Sequence, residues 1–334
     1  MLALLAALTL ALPPTCGTPD RNRDAAPHNY VFVWREHERI TDSAFLSNSN
    51  VVGAQLTFTW KELEPTRDGY DFDALRERLA YLKRHGKRLF LQVQDVSFTE
   101  RVHTPDYLNT DTAFHGGSAR KYERDADGRV RFGGWVARRW DPAVRERFVR
   151  LLAAIAREFD GAIEGVNIDE TSIGFDDPAR MPAGYTDSAY AASLRETLTA
   201  ARSAFQRSCV VIYANFMPGE SLPRDDRGYL RGLHAHAASI GIGVGGPDIL
   251  PYRPFQRAHS LSLIADRPPG VIAAMAVQDG NLAERNTSTG KLISVAELYE
   301  YAVSRLRLNY IFWGLEEPYF TSDVLPFLRN LREP

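Results

Sequence analysis

Cysteine is nearly absent from this sequence: only Cys16 and Cys209 occur in 334 residues. No disulfide framework can be built from them, and no cysteine-based metal site. Cys209 opens an apolar run, Cys209 to Tyr213, and reads as a buried, inert thiol. The eight histidines are scattered, and the His234-x-His236 pair falls on one helix face, so no catalytic metal is expected. Charge of one sign is also missing. The formal net charge is −2, which offers nothing to a polyanion and argues against nucleic acid as a partner. No Gly-x-Gly-x-x-Gly opens a helix after a strand, which argues against a dinucleotide fold; no cofactor is expected. There is no internal repeat.

One apolar run stands out, Met1 to Leu12, and it is too short for a stable membrane anchor. It reads as the core of a secretory signal, with Thr15 and Gly17 at cleavage offsets before Thr18. Residues 1–17 are therefore expected to be a signal peptide, 18–28 a linker and 29–334 one catalytic domain. The mature protein is expected to be periplasmic or extracellular, with no transmembrane segment once the signal is removed. Cys16 raises a lipid anchor as an alternative, but Pro13, Pro14 and Thr15 before it make a poor lipidation box. Oligomeric state is left open.

Beyond residue 28, apolar runs and helical periodicities alternate. Strands are predicted at 30–34, 51–60, 89–94, 165–170, 210–216, 240–244, 271–277 and 309–313. Between them lie helical patterns such as 71–85, closed by Gly86, and 142–159, opened by Asp141-Pro142. Eight strand–helix repeats at this length predict a closed (β/α)8 barrel, interrupted by a long irregular insertion after the third strand, from about Ser97 to Trp140.

Such barrels carry their sites at the carboxyl ends of the strands. Those positions hold Trp60, Glu62 and Glu64; Gln94 and Asp95; Asn167, Asp169 and Glu170; Asn215; Asp248; Gln278 and Asp279; and Trp313, Glu316 and Glu317. Carboxylates with amides and flat rings are what a sugar site requires, for proton transfer, hydroxyl recognition and cover of apolar sugar faces. The insertion adds aromatics, Trp135 among them, and reads as a wall of the cleft.

Trp60-Lys61-Glu62-Leu63-Glu64-Pro65, followed by Gly69-Tyr70-Asp71-Phe72, resembles the segment after strand two in clan A glycoside hydrolases, barrel enzymes of β-galactosidase-like and cellulase-like families. Thr104 to Leu108 resembles their loop after strand three. The resemblance implies that Glu170 is the acid/base and that Trp313 is their strand-eight tryptophan. Two departures stand out. Asp169 replaces the clan's Asn before the acid, and Gln278 stands where strand seven should end in a glutamate nucleophile. Asp279, then Glu316, are the candidates for the second carboxylate. Trp60, Asp95, Asn167, Asp169, Asn215, Gln278, Trp313 and Trp135 are the candidate substrate contacts, with Asp95 a possible distant base and Glu64 a structural brace. The expected activity is hydrolysis of an oligo- or polysaccharide by two carboxylates, with retention. A carbohydrate-binding barrel that has lost its nucleophile is the alternative.

Overall fold

The computed structural model describes residues 26–124, 127–175 and 177–331. The expected signal peptide and Cys16 lie outside the described residues. The eleven strands are β1 (His28–Phe32), β2 (Val51–Thr59), β3 (Arg88–Gln94), β4 (Val96–Ser97), β5 (Ser118–Arg124), β6 (Val130–Ala137), β7 (Gly165–Ile168), β8 (Cys209–Tyr213), β9 (Gly243–Gly246), β10 (Ala273–Val277) and β11 (Tyr310–Gly314). Eight of them close into the expected barrel, in the order β1-β11-β10-β9-β8-β7-β3-β2, and every pairing is parallel.

Side chains alternate along each strand, so one set fills the barrel and the other packs under the helices. The inner set is aromatic, with Tyr30, Phe32, Phe90, Tyr213, Tyr310 and Phe312 clustered with Val211, Ala274 and Ala276. Gly53 makes room for this filling. A Cβ there would sit 2.0 Å from the Arg88 carbonyl oxygen and 2.7 Å from the Tyr30 ring. The β1–β2 register slips beside it, pairing Asn29 with Val51 and Tyr30 with Gly53, so Val52 is the bulged residue. The outer set, including Leu56, Leu91, Val166, Ile168, Val210 and Ile212, meets apolar stripes such as Leu151, Leu152 and Ile155 of the helix Pro142–Phe159. That helix starts as expected: Pro142 takes the first position and Asp141 Oδ1 accepts from the Ala143 amide at 2.9 Å.

The insertion differs from its expected irregularity. Among its described residues β4, β6 and β5 form a three-stranded antiparallel sheet, with Ser118 opposite Ala137 and Tyr122 opposite Phe132. The Ala137 amide donates to the Asp95 carbonyl and the Tyr122 amide to that of Gly174, which seats the sheet beside the barrel mouth. Some helices also break where one continuous helix was expected. Residues 254–265 form two short helices, Pro254–Ala258 and Ser260–Ala265. The run from Ser294 is α-helical over Val295–Glu300 and then widens into a π turn at Tyr301–Arg305, where the Leu306 amide reaches back to the Tyr301 carbonyl.

Candidate active site

A cavity of about 440 Å³ opens at the carboxyl ends of the barrel strands, lined by Phe32, Trp34, Gln92, Gln94, Phe98, Asp169, Glu170, Tyr213, Asp248 and Gln278, with Arg35 and His103 at its edge. Asp169 and Glu170 reach it together. Strand alternation predicts that only a bulge would allow this. Instead β7 ends at Ile168, and both residues follow in non-strand backbone, where alternation no longer holds. The Thr171 amide then ties the chain to the Tyr213 carbonyl at 3.0 Å.

Glu170 Oε2 accepts from Asn215 Nδ2 at 2.6 Å. Burial raises its pKa to about 7, and Asp248 adds to the shift, while Asn215 and the cations of Lys121 and Arg139 oppose it. Lys121 comes from the insertion sheet and is wholly buried, its ammonium 3.7 Å from the Phe98 ring centre and 3.2 Å from Glu123 Oε1. Asp169 is only 3% exposed. Its Oδ1 accepts from the Glu170 amide at 2.9 Å, and its Oδ2 meets no hydrogen-bond donor among the described residues. Burial, then the neighbouring Glu170 and Asp95 charges, raise the Asp169 pKa to about 8, against the opposing pull of Arg139. A site in this state holds protons at neutral pH.

A stability prediction follows from Asp169. Its folded pKa lies above its unfolded one, so the native state binds the extra proton between about pH 4 and pH 8, and stability falls as pH rises through that window. Asp169→Asn removes that loss. In urea denaturation, the stability of the variant relative to the parent is expected to rise by roughly 2–4 kcal/mol from pH 5 to pH 8. A difference independent of pH would show that Asp169 does not titrate in this window.

The other expected residues divide. Gln278 lines the cavity and donates from Nε2 to the Pro247 carbonyl at 2.9 Å. Asn215 serves Glu170 directly. Asn167 is fully buried and does not line the cavity; both its amide atoms lack a partner among the described residues, while its register partner Gln92, on the same face of the sheet, does line it. Trp60 is not at the mouth. It starts the short helix Trp60–Leu63, is fully buried, and donates from Nε1 to Glu64 Oε2 at 2.8 Å. Glu64 also takes the hydroxyl of Tyr107 and the guanidinium of Arg147, a brace of buried groups. Trp313 is likewise fully buried. Phe312 and Gly314 flank it, so its ring joins the outer layer, where Nε1 donates to Asn29 Oδ1 at 2.9 Å.

Asp95 is held away from the cavity by Arg139, whose Nε donates to Asp95 Oδ2 at 2.8 Å and whose second amino group reaches Oδ1. The pair is buried, so a water-activating role for Asp95 has no path to a sugar. Trp135 is half-buried in β6 under the Arg120 guanidinium, 5.2 Å from its ring centre, and lines no part of the cavity. Asp279 is exposed and outside the cavity lining, its Oδ1 taken by the Gly280 amide at 2.7 Å. Glu316 is also outside the lining; its Oε1 accepts from Trp34 Nε1 at 3.3 Å, and burial raises its pKa.

Several cavity residues carry no role in the sequence reading. Trp34 is the main one. Its backbone takes φ 53°, a left-handed conformation unusual for a bulky residue, which ends β1 and stacks the indole on Phe32 at 4.6 Å. Position alone marked it only as the last residue of a strand. Asp248, named only as a rim carboxylate, lines the cavity; its Oδ1 accepts from Asn281 Nδ2 at 3.0 Å, and burial raises its pKa. Phe98 and His103 belong to the insertion, whose fold had no periodic signal to place them.

Among the described residues no group of three or more His, Cys, Asp or Glu is placed to hold a metal ion, and no helix is long and apolar enough to cross a membrane.

No family model matches this sequence, and no curated protein matches it. Solved structures do. The chain superimposes on the catalytic domain of a β-amylase from Paenibacillus polymyxa with TM-score 0.56 and 9% identity, over 87% of this chain and 93% of that one. A thermostable mutant of a xylanase from Cellvibrio japonicus gives 0.54 and 15%, over 88% and 89%. An endo-glycoceramidase from a Rhodococcus species gives 0.51 and 14%, over 91% and 79%. The shared architecture is the closed (β/α)8 barrel that the strand–helix alternation of the sequence predicts. At these identities the likeness establishes the fold and carries no residue roles.

Proposed function

We propose that the protein is an exported glycoside hydrolase in which Glu170 is the general acid/base. The observation that carries this reading is a carboxyl group with raised proton affinity inside a barrel-mouth cavity of aromatics and amides, oriented by Asn215. A half-buried glutamic acid still protonated near neutrality can donate to a leaving glycosidic oxygen, and the ion it leaves can then activate water. Export rests on the apolar run 1–12 and its cleavage offsets.

The test is turnover of a panel of chromogenic glycosides and polysaccharides, with the pH profile of kcat/KM on any substrate cleaved. Glu170 must carry its proton to act as acid, so kcat/KM is expected to hold up to about pH 7 and fall tenfold per unit above it. A basic limb near pH 4–5, the range of an unperturbed glutamate, would assign the acid elsewhere.

The second reading is a carbohydrate-binding barrel without chemistry. Gln278 favours it, since an amide tied to the Pro247 carbonyl cannot form a glycosyl ester. Saturable sugar binding with no turnover of any glycoside would select it.

A further inference from the structure

Among the described residues no carboxylate lines the cavity at the end of β10, the seventh barrel strand, where the clan A resemblance places a nucleophile. Gln278 projects there, Asp279 faces solvent, and Glu316 sits outside the lining. The carboxyl groups that do line it are Asp169, Glu170 and Asp248, the last fastened to Asn281. Asp169 supplies a second observation. One of its oxygens is buried with no donor among the described residues, in a residue that lines the cavity. Leaving such an oxygen unmatched costs on the order of 1–3 kcal/mol, which a ligand N–H or O–H would offset while drawing the Asp169 carboxyl towards its ionised form.

We propose that the substrate supplies the missing nucleophile: the site takes β-linked 2-acetamido-2-deoxyhexosides, whose acetamido oxygen attacks C1 while Asp169 holds the acetamido N–H. The inference rests on the glycoside-hydrolase reading above. A substrate 2-hydroxyl could also donate to Asp169, but attack on C1 would then fall to Asp248, whose Oδ1 is already bonded to Asn281. An acetamido group answers both needs. The leaving oxygen on C1 and the nitrogen on C2 are vicinal, and Glu170 and Asp169 are consecutive residues past one strand end, placed to meet them. Phe32, Trp34 and Tyr213 line the same cavity and offer apolar surface to the acetyl methyl.

In the first step the acetamido carbonyl oxygen bonds to C1 as the C1–O glycosidic bond breaks. The electron pair leaves with the glycosidic oxygen, which takes the Glu170 proton, and the sugar becomes an oxazolinium ion with its N–H on Asp169. In the second step water adds to C1 and gives a proton to Glu170. The C1–O bond to the acetamido oxygen breaks and restores the amide. Atoms and charge balance as hydrolysis. The acetamido group must attack from the face opposite the leaving group, so gluco and galacto substrates are β-linked and the product keeps that configuration.

The test compares p-nitrophenyl 2-acetamido-2-deoxy-β-glucoside and -galactoside with the p-nitrophenyl β-glucoside, galactoside and xyloside. A parallel pair uses β-1,4 tetrasaccharides of N-acetylglucosamine and of glucose. The acetamido members are expected to turn over at least ~100-fold faster, reflecting the intramolecular nucleophile. Mono-, di- and trifluoroacetamido analogues are expected to slow kcat progressively, because each fluorine withdraws electrons from the attacking oxygen. Hydrolysis of the 2-hydroxy glycosides with the acetamido ones refused, or rates indifferent to fluorination, overturns this inference and leaves the glycoside-hydrolase reading standing. Hydrolysis of neither series overturns both.

Discussion

Replacing Glu170 with glutamine is expected to lower kcat on unactivated glycosides by about 10²–10⁴-fold, the usual contribution of a positioned acid–base group. Glutamine keeps the shape and an oxygen for Asn215 Nδ2 to bond, now at 2.6 Å, but has no proton to give. Substrate binding should therefore change by no more than a fewfold in titration calorimetry. The loss should shrink on aryl glycosides with very acidic leaving groups, which depart without protonation, for as long as bond cleavage limits the rate. A uniform loss across leaving groups would mean that Glu170 shapes the cavity rather than protonating the bond. Full activity in the variant would remove Glu170 from the mechanism.

Arg139→Met is expected to cost about 3–5 kcal/mol of stability in urea denaturation, because it strands the Asp95 carboxylate in a dry layer. Asp95 is 2% exposed and Arg139 6%, so water cannot replace the lost partner. The guanidinium also donates to the Glu170 carbonyl at 2.7 Å and to the Tyr190 hydroxyl at 3.0 Å. The same substitution should thus loosen the backbone that aims the acid. Adding Asp95→Leu is expected to recover much of the stability, since removing both partners deletes the stranded charge. Recovery of stability without recovery of turnover would locate the functional part of Arg139 in its hold on Glu170. A cost under about 1 kcal/mol would place the pair among exposed ion pairs and overturn its bracing role.

These two residues show what a reading of the chain can and cannot reach. Glu170 is legible because an apolar strand running into adjacent carboxylates is a strong local signal, and the eight-fold alternation says which end of the strand matters. Arg139 is not, because its partners lie 44, 31 and 51 positions away, and only the closed barrel brings them together. The tryptophans make the same point in reverse. Trp60 and Trp313 stand at strand ends, where a sugar-stacking ring is expected, yet both face the helix layer. Trp60 is turned by the helical start that Thr59 caps, and Trp313 by its parity in β11. Trp34, two residues beyond the end of β1, reaches the cavity through a backbone twist that no residue type announces.

The barrel itself was written in local terms. Period-2 apolar runs, period-3.6 stripes and their Gly, Pro and Asp boundaries are properties of neighbours along the chain, and each favours its element before any tertiary contact forms. The same holds for the end of the barrel that carries polar groups, and for Gln278 in place of a carboxylate. Tertiary structure alone decided which of those groups share a cavity. Side-chain direction depends on where each strand stops. Proton affinity depends on burial and on charges brought in from other strands, as at Asp169 beside Asp95 and Arg139. A carboxyl left without a donor at the cavity is a property of packing, invisible until the chain closes around it.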